Sequence, residues 1–209
     1  ALAIEGRMSI CNLNDIEESL VLKSANQFAL EIEERLRSRH PVIPVRVDLT
    51  DQIAAKVVAG MHRVRIRQDT RFSEMELSAL WNHEIESHCL TAHNGCRHEY
   101  CDFLASGGPR TTMTQEGLAV FYEVYAHTMS QRRFLTLCHR VQAVALAENG
   151  ADFMQLYRWY KDRTDNQIEA FYSAQRIFRG ADLKGGGPFT KDVVYLTGLL
   201  GVYNFLKMA

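Results

Sequence analysis

Apolar residues recur at helical spacing along most of the chain, and two short stretches alternate instead. Asn14 and Glu17 form a capping-box pattern, and Leu20, Ala25, Phe28, Ile32 and Leu36 follow at steps that keep one face, up to Pro41. This predicts a first helix. Val45 and Val47 then alternate with polar neighbours, as do Val64 and Ile66 with Arg63, Arg65 and Arg67. These read as two short strands, paired around a connection through Gly60. Ser73 and Glu76 make a second capping box, opening a helix whose apolar stripe is Leu77, Leu80, Trp81, Ile85 and Cys89, with Gly95 as its natural terminator.

A loop, Ser106-Gly107-Gly108-Pro109, leads to Thr114, which can cap the next helical stretch; that stretch runs toward Asn149-Gly150 and is broken near Ser130. Two further helices are expected, Asp152 to Asp162 and Asp165 to Arg179. The loop Gly180 to Phe189 precedes Thr190, placed to cap the last helix. No internal repeat or low-complexity segment interrupts this order. The pattern predicts a mostly helical α+β domain with a small sheet.

Composition narrows the class without changing the fold. The 209 residues are 46% hydrophobic, with ten Phe, eight Tyr and two Trp, which is too apolar for a disordered chain. Twenty-four basic residues balance 25 acidic ones, so bulk charge gives no reason to expect nucleic acid or an anionic membrane as partner. The longest apolar stretch, Val193 to Leu206, is interrupted by Thr197, Gly198, Gly201 and Asn204. It falls short of the ~20 residues of a membrane helix. No leader resembles a signal peptide, and five cysteines, an odd number, argue against a disulfide framework. A reducing cytoplasm is the expected compartment. Ile4-Glu5-Gly6-Arg7 before Met8 reads as a protease-cleavable tag scar, so residues 1–7 are set aside and 8–209 are expected to form one catalytic domain.

The sharpest chemistry lies in His83-Glu84-Ile85-Glu86-Ser87-His88, two imidazoles around a carboxylate on an expected helix. Neutral imidazole is a good zinc ligand, and a Glu beside the first His can take a proton from a metal-bound water without ligating the metal. The usual metalloprotease helix spaces its histidines at i and i+4. Here the second is at i+5, which on a straight α-helix is turned about 140° from the first. A shared metal therefore requires an i→i+5 irregularity within this segment, of the π type. Two histidines on an amphipathic helix are also commonly hydrogen-bonded, half-buried residues, and the hexapeptide alone leaves both readings open. Glu116, in Thr114-Gln115-Glu116-Gly117-Leu118-Ala119, lies 28 residues beyond His88 and is expected in the first turn of its helix. A carboxylate from a second helix would complete the two-His-one-Glu set of catalytic zinc peptidases, and Gly117 would allow close approach of another backbone. A Glu near a helix N-terminus is also ordinary helix chemistry.

Other clusters carry less. Cys89, His93, Cys96, His98 and Cys101 could hold a second, structural zinc, but their spacing matches no standard finger, and core and loop roles are preferred. Gly185-Gly186-Gly187-Pro188 lacks the Gly-Lys-Ser/Thr ending of a phosphate loop and reads as a turn. Cys138 and His139 are helix neighbours pointing about 100° apart, which excludes a nucleophile pair.

Asn82-His83-Glu84 with His88, then Asn94-Gly95, Thr114-Gln115-Glu116-Gly117-Leu118-Ala119 and Phe189-Thr190-Lys191-Asp192 resemble, in the same order, the bacterial "flavohaemoglobin expression-modulating QEGLA motif" proteins. That family is similar to the eukaryotic microtubule-associated tyrosine carboxypeptidases, which remove a C-terminal Tyr from tubulin. The resemblance implies a zincin-like metallopeptidase binding Zn2+ through His83, His88 and Glu116, with Glu84 as general base. The implied activity is that of a carboxypeptidase acting on a peptide or protein C-terminus, with no nucleic acid or membrane partner. The alternative is a metal-binding regulatory module without turnover. A carboxypeptidase must also neutralise the terminal carboxylate. Arg110, expected in the loop before the Glu116 helix, and Lys191, behind the cap Thr190, are the candidates, although each is also an ordinary solvent-facing basic residue.

Overall fold

The computed structural model describes residues 22–208, which divide between two compact units: residues 22–129 together with 198–208, and Ser130–Thr197. The capping pattern at Asn14 and Glu17, Leu20 and residues 1–7 lie outside the described residues.

In the first unit, helix α1 (Ala25–Arg39) opens at a capping box of its own. Ser24 accepts from the Gln27 N–H, and Gln27 Oε1 accepts from the Ser24 N–H at 2.9 Å. The expected run from Leu20 into this helix is broken, because Lys23–Ser24 (β1) pair antiparallel with Arg71–Phe72 (β5). A three-stranded sheet, β2 (Arg46–Thr50), β3 (Val57–Ala59) and β4 (Arg63–Arg67), has the order β2-β4-β3. The two expected strands do pair, with Val47 opposite Val64 and Leu49 opposite Ile66, but in parallel. Parallel neighbours cannot be joined by a tight turn. The connection instead contains β3, which runs antiparallel to β4 and was not anticipated. Phe28, Ile32 and Leu36 of α1 pack with Val64, Ile66 and Phe72 into one core, which also takes Leu77, Trp81, Ile85 and Cys89 from the segment that carries His83 and His88.

That segment opens as expected. Ser73 Oγ accepts from the Glu76 N–H, and Glu76 Oε2 accepts from the Ser73 N–H, each at 3.1 Å. Helix α2 (Glu74–Leu80) passes without a break into a π-helix, Trp81–Cys89, and then into α3 (Leu90–Cys96). Gly95 does not terminate this run. A Cβ there would sit 2.4 Å from the Ala105 nitrogen, so glycine is required by the close passage of the 3-10 turn Asp102–Ala105. Helix α4 (Pro109–Tyr125) starts five residues before Thr114, with Gly108 at its N-cap. Pro109 at the first position explains the earlier start, since its missing N–H would have no helical partner anyway. Glu116 is therefore two turns into α4 and not in its first turn.

The second unit is helical. Ser130 caps α5 (Gln131–Glu148), Asp152 caps α6 (Phe153–Lys161) and Asn166 caps α7 (Gln167–Ile177), close to the bounds the pattern predicts. Val144, Ala147, Leu156, Ala170, Ala174 and Ile177 form its core. Gly185 and Gly186 adopt left-handed φ values of 89° and 85° in the connecting loop. Thr190 opens a 3-10 turn (Thr190–Asp192) ahead of α8 (Val193–Met208) and does not cap that helix directly. Residues 198–208 of α8 belong to the first unit. Among the described residues, no helix is long and apolar enough to cross a membrane.

Candidate metal centre

The i+5 spacing of His83 and His88 is resolved by the nine-residue π-helix. The Leu90 N–H donates to the Ile85 carbonyl, five residues back, and the Ser87 hydroxyl donates to the Asn82 carbonyl at 3.0 Å. A wider turn brings residues five apart onto one face. The two imidazoles accordingly meet edge to face, with ring centroids 5.1 Å apart. Trp81, Ile85 and Cys89 anchor the opposite face in the core. Glu86 adds a lateral tie, accepting from Trp81 Nε1 at 2.8 Å and lying 3.1 Å from His40 Nε2 beyond the end of α1.

Helix α4 brings Glu116 to the histidines. Its Oε2 lies 3.5 Å from His83 Nε2 and 3.6 Å from His88 Nε2. The ligating atoms of His83, His88 and Glu116 lie within 4.8 Å of one another, a group that could hold a metal ion. The packing of α4 against α8 depends on Gly117 and Gly198. A Cβ on Gly117 would fall 2.2 Å from the Gly198 carbonyl carbon, and one on Gly198 would fall 2.1 Å from the Met113 oxygen. The close approach expected at Gly117 is thus made by α8.

A second carboxylate on α4 orients the His83 ring. Glu123 is buried and its Oε1 is 2.7 Å from His83 Nδ1. An ionised carboxylate only accepts, so Nδ1 carries the hydrogen and Nε2 faces Glu116. Gln115 Oε1 lies 3.5 Å from His88 Nδ1 in the corresponding position. Beyond Glu123, the Thr128 hydroxyl donates to the Glu123 carbonyl and accepts from Asn82 Nδ2 at 3.2 Å, tying the end of α4 to the π-helix. Sequence reasoning missed Glu123. Its signal was the seven-residue step from Glu116, two helical turns on the same face.

Electrostatics suit a cation. Burial opposes a charged His83, yet the bonds to Glu116 and Glu123 outweigh it and raise its pKa to about 9. Burial likewise opposes the Glu116 carboxylate, but His83 and His88 hold its pKa well below the usual carboxylate range. Glu84 lies beside the cluster, with Oε2 accepting from the Ala59 N–H at 3.0 Å. Burial raises its pKa, partly offset by the two histidines. The Ala59 bond is available because β3 is an edge strand whose other side is taken by β4.

Arg110 is the second residue of α4 and not in a loop; it is exposed, and its Cα is about 9 Å along the helix axis from that of Glu116. Lys191 sits in the 3-10 turn of the second unit. The cysteine–histidine cluster disperses: Cys89 is buried and donates to the Gly60 carbonyl, while Cys96 is exposed with Sγ 3.0 Å from Met61 Sδ. Among the described residues it forms no metal-binding group.

The sequence model of the family described as microtubule-associated tyrosine carboxypeptidase matches residues 7–209. No curated protein matches the chain. With that match covering nearly the whole sequence, the chain belongs to the microtubule-associated tyrosine carboxypeptidase family.

Proposed function

We propose that the protein is a zinc-dependent, zincin-like carboxypeptidase that removes a residue from a peptide or protein C-terminus. The observation that carries this reading is the juxtaposition of three metal-ligating side chains with a buried glutamate that is not one of them. Bonds of 2.0–2.1 Å in a tetrahedral zinc site put ligand atoms about 3.3–3.4 Å apart. The separations of 3.5 and 3.6 Å from Glu116 to the two Nε2 atoms are close to that edge and long for hydrogen bonds. The donor set also fits: with Nδ1 turned to Glu123, His83 Nε2 faces Glu116 Oε2, and a metal ion can take the place of the proton between them.

His83, His88 and Glu116 would hold the zinc. When bound, it polarises the scissile carbonyl and acidifies a coordinated water. Glu84 would take a proton from the attacking water and return it to the leaving amine, a task suited to a carboxylate whose pKa is raised by burial. The Ala59 N–H fixes one carboxylate oxygen of Glu84 and leaves the other to carry the proton. Arg110, on the same helix as Glu116, is the proposed clamp for the substrate's terminal carboxylate. The family's description supports a C-terminal substrate and a tyrosine preference.

A regulatory metal-binding module without turnover is the competing reading. A site that only binds metal has no use for a buried, backbone-oriented Glu84 beside it, which favours the enzyme. The deciding experiment incubates zinc-loaded protein with peptides ending in Tyr, as free acids and as C-terminal amides, and follows mass. Loss of one residue from the free acids alone is expected. Intact peptides with full zinc occupancy would favour the regulatory module.

A further inference from the structure

The candidate metal centre borders the three-stranded sheet at β3, where Ala59 bonds Glu84, and β2 is the opposite edge. The Arg46 N–H donates to the His62 carbonyl at 3.0 Å, and the Thr50 carbonyl accepts from the Gln68 N–H at 3.2 Å. Both ends of β2 are thus tied to the β4 side, in the parallel register that sets Asp48 against Arg65. Backbone groups alternate in direction along a strand. Arg46, Asp48 and Thr50 therefore turn theirs toward β4, and Val47 and Leu49 turn theirs outward. Among the described residues, no hydrogen bond reaches the outward N–H and C=O groups of Val47 and Leu49.

A groove of about 810 Å³ runs beside this edge, and its far wall is the face of α1 that carries Ala29, Leu30 and Glu33. Leu30 is 65% exposed there although its side chain is apolar. Val47 and Leu49 pack on the core but stay half-buried. The other face of the sheet is basic. Arg46 and Arg63 stand directly opposite each other in the β2–β4 register, where like charges are destabilising. Asp48 is the one acidic residue of β2, β3 and β4, and it pairs with Arg63, Oδ2 to Nε, at 3.1 Å. Arg46 and Arg65 make no ion pair among the described residues. Arg63 and Arg65 line the groove, and Arg46, His62 and Arg63 line a second cavity of about 400 Å³.

We propose that the free edge of β2 accepts an extended segment of a partner protein as a fourth strand, with side chains that alternate between acidic and apolar. Val47 and Leu49 supply the main-chain bonds, which give affinity, and the walls of the groove give specificity. Side chains of an added strand point alternately to the two faces of the sheet. On one face they meet Arg46, Arg63 and Arg65 around a single carboxylate. On the other they meet Ala29 and Leu30. The site lies on the edge away from Glu84 and is independent of the zinc reading.

The test uses the whole chain and a dye-labelled, C-terminally amidated peptide of three Glu-Val repeats. Fluorescence anisotropy should show saturable binding, equal with and without zinc. The Lys-Val counterpart should bind about tenfold more weakly or worse. N-methylation of alternate peptide residues should abolish binding for one set and spare it for the other, because only one set faces β2. Hydrogen exchange followed by NMR places the contact: the Val47 and Leu49 amides should exchange fast in the free chain and be protected by the peptide. Arg46→Gln combined with Arg65→Gln, and separately Leu30→Glu, should each weaken binding about tenfold. No saturable binding, equal binding of the Lys-Val peptide, or binding that leaves the Val47 and Leu49 amides unprotected would each overturn the proposal. Protection of those amides without peptide, rising with protein concentration, would give the edge to a second copy of this chain and overturn it as well.

Discussion

His83 Nδ1 donates to Glu123 Oε1 at 2.7 Å, so the ring that reaches Glu116 is held from behind by a carboxylate on the same helix as Glu116. Carboxylates in this position fix the ring's tautomer and raise its basicity, and their loss typically costs 10–100-fold in metal affinity. Glu123→Ala should therefore bind zinc about 10–100-fold more weakly, with His83, His88 and Glu116 all intact. Competition against a chromogenic chelator measures this directly. Unchanged affinity would mean that Glu123 is only a buried neighbour.

The same contacts set a pH dependence. Folding raises the His83 pKa from 6.5 to about 9, so its contribution to stability is complete below pH 6.5 and is lost as pH rises through about 9. Folding lowers the Glu116 pKa from 4.5, so its contribution is present above that value and is lost at lower pH. Metal-free protein should thus lose melting temperature between pH 6.5 and 9, and His83→Gln should remove that slope. Zinc must displace the His83 proton, so apparent affinity should climb about tenfold per pH unit up to about 9. An affinity already flat from pH 7 upward would show that His83 holds no proton there.

How far the sequence reaches is clearest where one residue type serves two purposes. The π-helix was legible because a shared metal forbids an α-helix at i+5 spacing, leaving few ways to bring His83 and His88 together. The caps at Ser73 and Ser130 were legible because their hydrogen bonds are local. Gly95 was not, since glycine serves both as a helix terminator and as a point of close contact, and only tertiary structure reveals Ala105 against it. Strand β3 escaped because Val57-Val58-Ala59 is short and does not alternate; its place is fixed by pairing with β4. The start of α4 was misread by preferring the capping chemistry of Thr114 over Pro109 at a first turn. Glu123 shares its residue type with many solvent-facing helix positions, and its burial depends on the π-helix packed over it.

The contact between Gly117 and Gly198 gives a stability prediction with a functional readout. A Cβ on Gly117 would lie 2.2 Å from the Gly198 carbonyl carbon, which is backbone and cannot swing aside as a side chain would. Forcing volume into a packed contact typically costs 1–3 kcal/mol, and a backbone clash belongs at about the upper end. Gly117→Ala should lower the melting temperature by several degrees and weaken zinc binding, because Glu116 is the adjacent residue. Gly107→Ala is the control, since a Cβ there meets nothing within 4 Å. Equal behaviour of the two variants would remove α8 from any role in placing Glu116.

Separating catalysis from metal binding needs the two glutamates in parallel. Glu84→Gln keeps the shape of the side chain and leaves an oxygen for the Ala59 N–H, but it removes the base. Glu84 is not one of His83, His88 and Glu116, the group that could hold a metal ion, so zinc occupancy should be nearly unchanged. Turnover should fall by about 10²–10⁴-fold, the usual worth of general acid–base assistance. Glu116→Gln instead removes the anion that faces both Nε2 atoms, at 3.5 and 3.6 Å, so metal retention should fail first and activity with it. Restoring zinc at high concentration should then recover part of the Glu116→Gln activity but none of that lost in Glu84→Gln. That rescue asymmetry is the decisive readout, because a loss of fold would show no dependence on zinc concentration. Should Glu84→Gln cleave as fast as the parent at equal zinc occupancy, the proton shuttle proposed for it is wrong.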